Sequence, residues 1–228
     1  MTTTAHPSVI PDIDAIIRER HLLDHPFYRA WVDGQLSLEA LQVYVQQYWH
    51  HVAAFPQYVS AAHATCPDMA TRQVLLENLI EEERGPDNHP ELWVRFGEAL
   101  GLTRERVMTA EAFPETAALV GTYRSLCGGP FIDAAVALYS YESQIPAVAQ
   151  TKIDGLRRFY GIEDERGLSF FTAHLQADVW HTETDRTMIE SHVITEEDGQ
   201  RARAAATQAS EALLGLLDGV YDRYVKDC

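Results

Sequence analysis

The sequence predicts an all-α fold, a single antiparallel helical bundle spanning residues 1–228. Three observations carry that expectation. Apolar residues recur at three- and four-residue steps along most of the chain, whereas the alternation expected of strands is scarce. Proline, glycine and small polar residues punctuate these runs where helix starts and stops place them. No low-complexity linker, internal repeat or shift of composition divides the chain, and 228 residues with 46% hydrophobic content can bury one sizeable core.

Each element has its own justification. "PDIDAIIRERHLL" begins with proline and acidic residues and continues as an apolar stripe, as an N-terminal helix should. "HPFYRAWVDG" starts at Pro26 and stops at Gly34, and "LSLEALQVYVQQYWHHVAAFPQYVSAAHATC" opens on a Ser37 cap and runs long, with Pro56 as a kink. "PDMATRQVLLENLIEEERG", "HPELWVRFGEALGL" and "FPETAALVGTYRSLCGG" follow as shorter amphipathic runs, the last ended by a glycine pair. "PFIDAAVALYSYESQIPAVAQTKIDGLRRFYG" reads as one long element with a bend at Pro146. The segment containing "FFTAHLQADVWHTETDR" comes next, and the alanine-rich "TEEDGQRARAAATQASEALLGLLDGVYDRYV" closes the bundle.

Composition excludes several functions. A formal net charge of −16 argues against a nucleic-acid or acidic-membrane binder, since such partners call for a basic face. Cys66, Cys127 and Cys228 lie far apart without CxxC spacing, so neither a disulfide framework nor a thiolate metal site is expected. The N-terminus carries no basic region followed by an apolar run, and no apolar stretch approaches membrane-spanning length. A cytoplasmic protein is expected. Acidic helical bundles of this size often pair, which makes a homodimer an open expectation.

Three segments place polar groups on faces that otherwise read as buried. At about 100° per residue, His174, Asp178 and His181 share one helical face with Phe171. Glu82 and His89 are seven residues apart, although Gly85 and Pro86 interrupt the run between them. Glu142 interrupts a stripe of Ala135, Leu138, Tyr139, Ile145 and Ala149. A buried carboxylate needs a proton, a cation or a metal. Taken singly, each residue has an ordinary reading: Glu82 on a solvated face, His89 as a cap, Glu142 beside Arg157, Asp178 beside an arginine, the histidines as core groups. Together they form a nitrogen and oxygen set suited to iron or manganese. Six ligands would saturate one octahedral ion, so two ions, leaving positions for dioxygen and substrate, fit better. The Glu-x-x-His pairs of ferritin-like bundles are missing from "EEER" and "YESQ". His50, His51 and His63 read as core or ligand-supporting groups.

The ligand order, together with "LLDHPFYRAW", "NLIEEERGPDNHPELW", "ALYSYESQIPAVAQTKIDGL" and "ADVWH", resembles the haem-oxygenase-like di-metal oxidases, and most closely their CADD-like p-aminobenzoate synthase branch. The resemblance covers nearly the whole chain. It implies a haem-oxygenase-like bundle of the TENA/PqqC-like superfamily with Glu82, His89, Glu142, His174, Asp178 and His181 as metal ligands, the set that periodicity also reaches. It further implies two ions (Fe/Fe or Mn/Fe), dioxygen as co-substrate, an external electron donor, and p-aminobenzoate made for folate from the protein's own Tyr28 with Lys152 as amino donor. Tyr44, Tyr48 and Tyr141 compete with Tyr28 as redox-active tyrosines, and Lys152 could equally be a surface lysine. An oxidase of the same architecture acting on an external fatty acid or amino acid, and a metal-free TENA/PqqC-like enzyme, are the alternatives. Nothing in these residues marks a death-domain-binding surface.

Overall fold

A computed structural model describes residues 8–226, with the side chains of residues 176–181 outside that description. Among the described residues the chain forms eleven α-helices and no strand: α1 (Ile10–Glu19), α2 (Pro26–Val32), α3 (Leu38–Thr65), α4 (Met69–Glu83), α5 (His89–Ala99), α6 (Arg104–Met108), α7 (Pro114–Cys127), α8 (Phe131–Glu142), α9 (Ile145–Tyr160), α10 (Glu165–His192) and α11 (Glu196–Tyr224). A 3-10 turn, Leu22–Asp24, links α1 to α2.

Local chemistry sets these boundaries. The Ser37 hydroxyl accepts the Ala40 amide at 3.0 Å and starts α3. Pro56 sits inside α3 without ending it. Thr195 and Asp198 form a reciprocal capping box at the start of α11. Gly34, with φ of 68°, supplies the left-handed turn after α2.

Two runs of the sequence divide. "NLIEEERGPDNHPELW" breaks so that Glu82 lies in the last turn of α4 and His89 in the first turn of α5. The long element expected between Phe131 and Gly161 is two helices, α8 and α9, parted at Ser143 and Gln144. Pro146 explains the second break: it lacks the amide that would bond the carbonyl of Glu142, and it falls in the first turn of α9. Gln144 fastens the junction, donating to the Ser140 carbonyl at 2.7 Å and accepting the Leu22 amide at 2.9 Å.

The long helices pack around α8, whose residues 134–142 are all buried. Helix α11 runs along α7 and α8, presenting Ala202, Ala205, Ala206 and Ala209, and α10 lies against α9, α5 and α8. Helix α3 contacts α4, α5, α7 and α8. Gly155 permits one close approach, because a Cβ there would collide with the Trp31 indole. That contact presses α2 onto α9. Among the described residues, no helix is long and apolar enough to cross a membrane.

Candidate active site

Helices α4, α5 and α10 bring Glu82, His89 and His174 together, with one ligand atom from each lying within 4.8 Å of the others. All three residues are buried, at 4%, 7% and 5% exposure. Glu82 Oε1 is 2.8 Å from His89 Nδ1, and the rings of His89 and His174 are 4.4 Å apart. His174 Nδ1 donates to the Phe170 carbonyl at 2.6 Å, which orients the ring with Nε2 as its second ligand atom. Two imidazoles and a carboxylate converging in a buried space fit iron or manganese.

Glu142, 2% exposed, ends α8 and accepts the Asn78 side-chain amide at 3.0 Å. Asn78 lies one turn before Glu82 on α4, so a single helical face serves both carboxylates. This buried asparagine was not among the sequence candidates. Its four-residue spacing from Glu82 was the signal available. Asp178 and His181 continue α10 beyond His174, but their side chains lie outside the described residues.

Tyr28 and Lys152 meet in an aromatic box beside this cluster. Tyr28 is 1% exposed, and its hydroxyl is 3.1 Å from that of Tyr44. Lys152 is 3% exposed, which removes the surface-lysine reading. Its Nζ lies 4.9 Å from the Tyr48 ring centre, 5.2 Å from Tyr44, 5.3 Å from Phe171, 5.5 Å from Trp93 and 5.6 Å from Tyr28. Trp93 is the shared wall: its ring packs 4.8 Å from Phe170, which in turn packs 4.2 Å from His174. The break before α9 places Lys152 here, where a continuous helix from Glu142 would have carried it about 15 Å along the axis and off the face.

Burial sets the protonation of this box. Desolvation lowers the Lys152 amine from 10.5 to about 7, giving a substantial fraction of neutral, nucleophilic amine near neutrality. It raises the Tyr28 phenol well above its ordinary value, with the neighbouring Tyr48 adding to the effect and the Tyr44 hydrogen bond opposing it. Tyr28 is therefore a neutral phenol, and losing an electron requires losing its proton as well. Phenols continue away from it: the Tyr44 and Tyr48 rings are 5.3 Å apart, and Tyr48 donates to the Tyr141 hydroxyl at 3.1 Å, next to Glu142.

His51 is a core group in contact with this line, its ring 4.9 Å from that of Tyr141. Burial pushes it down to about 3, so it is neutral. His50 bonds the Ala110 carbonyl at 2.9 Å away from the box, and His63 is half-buried.

The amine has a measurable consequence. Below about pH 7 the folded chain carries the full cost of burying an ammonium, whereas the unfolded chain keeps its proton up to about 10.5. Unfolding therefore takes up a proton between these values, and stability rises with pH across them. Lys152→Met is expected to be more stable than the wild type at pH 6, by on the order of a few kcal/mol, and the gap is expected to close toward pH 10. Denaturant titrations of both chains across that range read it directly.

An all-α bundle that buries a carboxylate and two imidazoles beside an aromatic box is the scaffold of a candidate helical redox enzyme. A family model described as iron-containing redox enzyme matches residues 42–214, and the chain belongs to that family. It is 42% identical over 222 residues, 93% of this chain and 90% of the relative, to the 4-aminobenzoate synthase of Nitrosomonas europaea. It is 39% identical over 214 residues, 93% and 92% of the two chains, to the 4-aminobenzoate synthase of Chlamydia trachomatis. The crystal structure of a TenA homologue from Pseudomonas syringae superposes with a TM-score of 0.79 at 18% identity, covering 97% of this chain and 96% of that one. The fold is haem-oxygenase-like.

Proposed function

We propose that the protein is an oxygen-dependent, dinuclear-metal oxidase that forms 4-aminobenzoate for folate synthesis, taking the ring from Tyr28 and the amine from Lys152. The observation that carries this reading is the Lys152 amine, buried 5.6 Å from the Tyr28 ring centre within a wall of aromatic side chains. A lysine has no packing reason to occupy such a position, since burying its charge is costly. The names of the relatives in Nitrosomonas europaea and Chlamydia trachomatis support the product.

Glu82, His89, Glu142, His174, Asp178 and His181 would hold the ions. Two irons, or one manganese and one iron, would supply redox chemistry with dioxygen and an external reductant. The chain's own residues supply position and protonation. His174 is oriented by the Phe170 carbonyl, and Asn78 holds the Glu142 carboxylate. The phenols of Tyr44, Tyr48 and Tyr141 give Tyr28 a line of hydrogen-bonded and closely packed, tilted neighbours. Trp93, Phe170 and Phe171 exclude water and restrict stray oxidation. Lys152 offers a lone pair because burial keeps much of it neutral.

Complementation of a p-aminobenzoate auxotroph tests the reading. The wild type is expected to rescue growth, and Tyr28→Phe, Lys152→Arg and Glu142→Ala to fail. Rescue by Tyr28→Phe would instead indicate an oxidase acting on an external substrate, and rescue by Glu142→Ala would count against a metal.

A further inference from the structure

A second cluster lies away from that site. Cys66, Asp68 and His192 bring a thiol, a carboxylate and an imidazole together, with one ligand atom from each within 4.8 Å of the others. Cys66 caps the end of α3, Asp68 caps the start of α4, and His192 is the last residue of α10. His192 follows His174 by eighteen residues on α10, about 27 Å at a rise of 1.5 Å per residue. The two clusters are therefore distinct.

Each donor is already oriented. Asp68 divides its oxygens, Oδ1 accepting the Thr71 amide at 2.9 Å as the helix cap while Oδ2 lies 3.0 Å from His192 Nε2 and 3.9 Å from Cys66 Sγ. His192 Nδ1 donates to the Met188 carbonyl at 2.8 Å and lies 3.0 Å from the Ser191 hydroxyl, so Nε2 is the ring nitrogen that faces Asp68. The Phe131 ring, edge-on at 4.7 Å, holds the imidazole plane. Nε2 faces the Asp68 carboxylate oxygen at 3.0 Å, a pair that a ring proton or a bound metal ion can join. A metal ion held between them would also meet the buried Cys66 sulfur, a third ligand atom from the side.

We infer that Cys66 Sγ, Asp68 Oδ2 and His192 Nε2 form a binding site for one divalent ion of borderline softness, zinc above all, with water in the fourth tetrahedral position. The thiolate distinguishes this site from the nitrogen and oxygen set beside Lys152, which suits iron or manganese. A bound ion ties the C-terminal end of α10 to the α3–α4 junction, because its ligands come from all three helices. Occupancy thus braces the helix that also carries His174.

Cobalt(II) titration of the full-length protein tests the site, because thiolate-to-cobalt charge transfer absorbs in the near ultraviolet and no cysteine is among the ligands proposed for the candidate active site. The wild type is expected to develop this band and to lose it when one equivalent of zinc is added. A Cys127→Ser, Cys228→Ser double variant should keep the band, Cys66→Ser should lose it, and His192→Ala should weaken cobalt binding by about 100-fold. Circular dichroism of each variant establishes that it is folded. No band in the wild type would mean that a proton alone joins His192 to Asp68 and would overturn the inference. So would a band that survives Cys66→Ser, or unchanged cobalt affinity in His192→Ala. None of these readouts depends on 4-aminobenzoate formation, so either proposal can fail without the other.

Discussion

His174→Ala is expected to lower iron and manganese affinity by at least about 100-fold, since removing even a group that merely orients a ligand costs 10–100-fold. His174 is held in place: its Nδ1 is committed to the Phe170 carbonyl and its ring is packed against Phe170 and His89. The variant should remain helical, because the lost packing is one ring at the edge of a large core. Metal analysis after anaerobic loading, with circular dichroism as the folding control, reads both effects. Metal content equal to the wild type in a folded His174→Ala chain would remove His174 from the ligand set.

Tyr28→Phe is expected to abolish product while leaving metal uptake intact, a separation that distinguishes a consumed residue from a ligand. The phenylalanine ring fits the same space, and the stability cost should be about 1 kcal/mol, the worth of the hydroxyl's bond to Tyr44. Phenylalanine lacks the phenolic proton that the proposed oxidation of Tyr28 would release, so that reaction would have no starting point. Lys152→Met is expected to lose product as well, but to gain stability at neutral pH, because the thioether chain suits an aromatic box better than an amine does. Product analysis by mass spectrometry, set beside thermal melts, tells these cases apart. Undiminished product from Tyr28→Phe would place the ring's origin outside the chain.

Much of the fold was legible because its signals are local. Ser37, Pro26 and Gly34 act through the turns in which they sit, and the helices began and ended accordingly. Glu142 was legible because one carboxylate interrupts an otherwise apolar stripe, and α8 buries that stripe on every side. The division of α8 from α9 was not, since Pro146 is compatible with either a bend or a break. Gln144's two hydrogen bonds, one of them to the distant Leu22 amide, help fix the break. Periodicity gives the phase of residues on one helix but not which helices face each other. It could therefore suggest that His174 points inward, yet not that α4 and α5 supply its neighbours. The burial of Lys152 was hidden for the same reason: its aromatic walls come from α2, α3, α5 and α10, and no single segment records the box.

The central claim is that the product's atoms come from this chain. The protein can be prepared with carbon-13 tyrosine and nitrogen-15 lysine, loaded with iron and manganese, supplied with reductant and exposed to air in unlabelled buffer. The account predicts 4-aminobenzoate carrying both labels, at no more than one molecule per chain, together with a chain altered at Tyr28 and Lys152. Unlabelled 4-aminobenzoate, or turnover that leaves both residues intact, would contradict it.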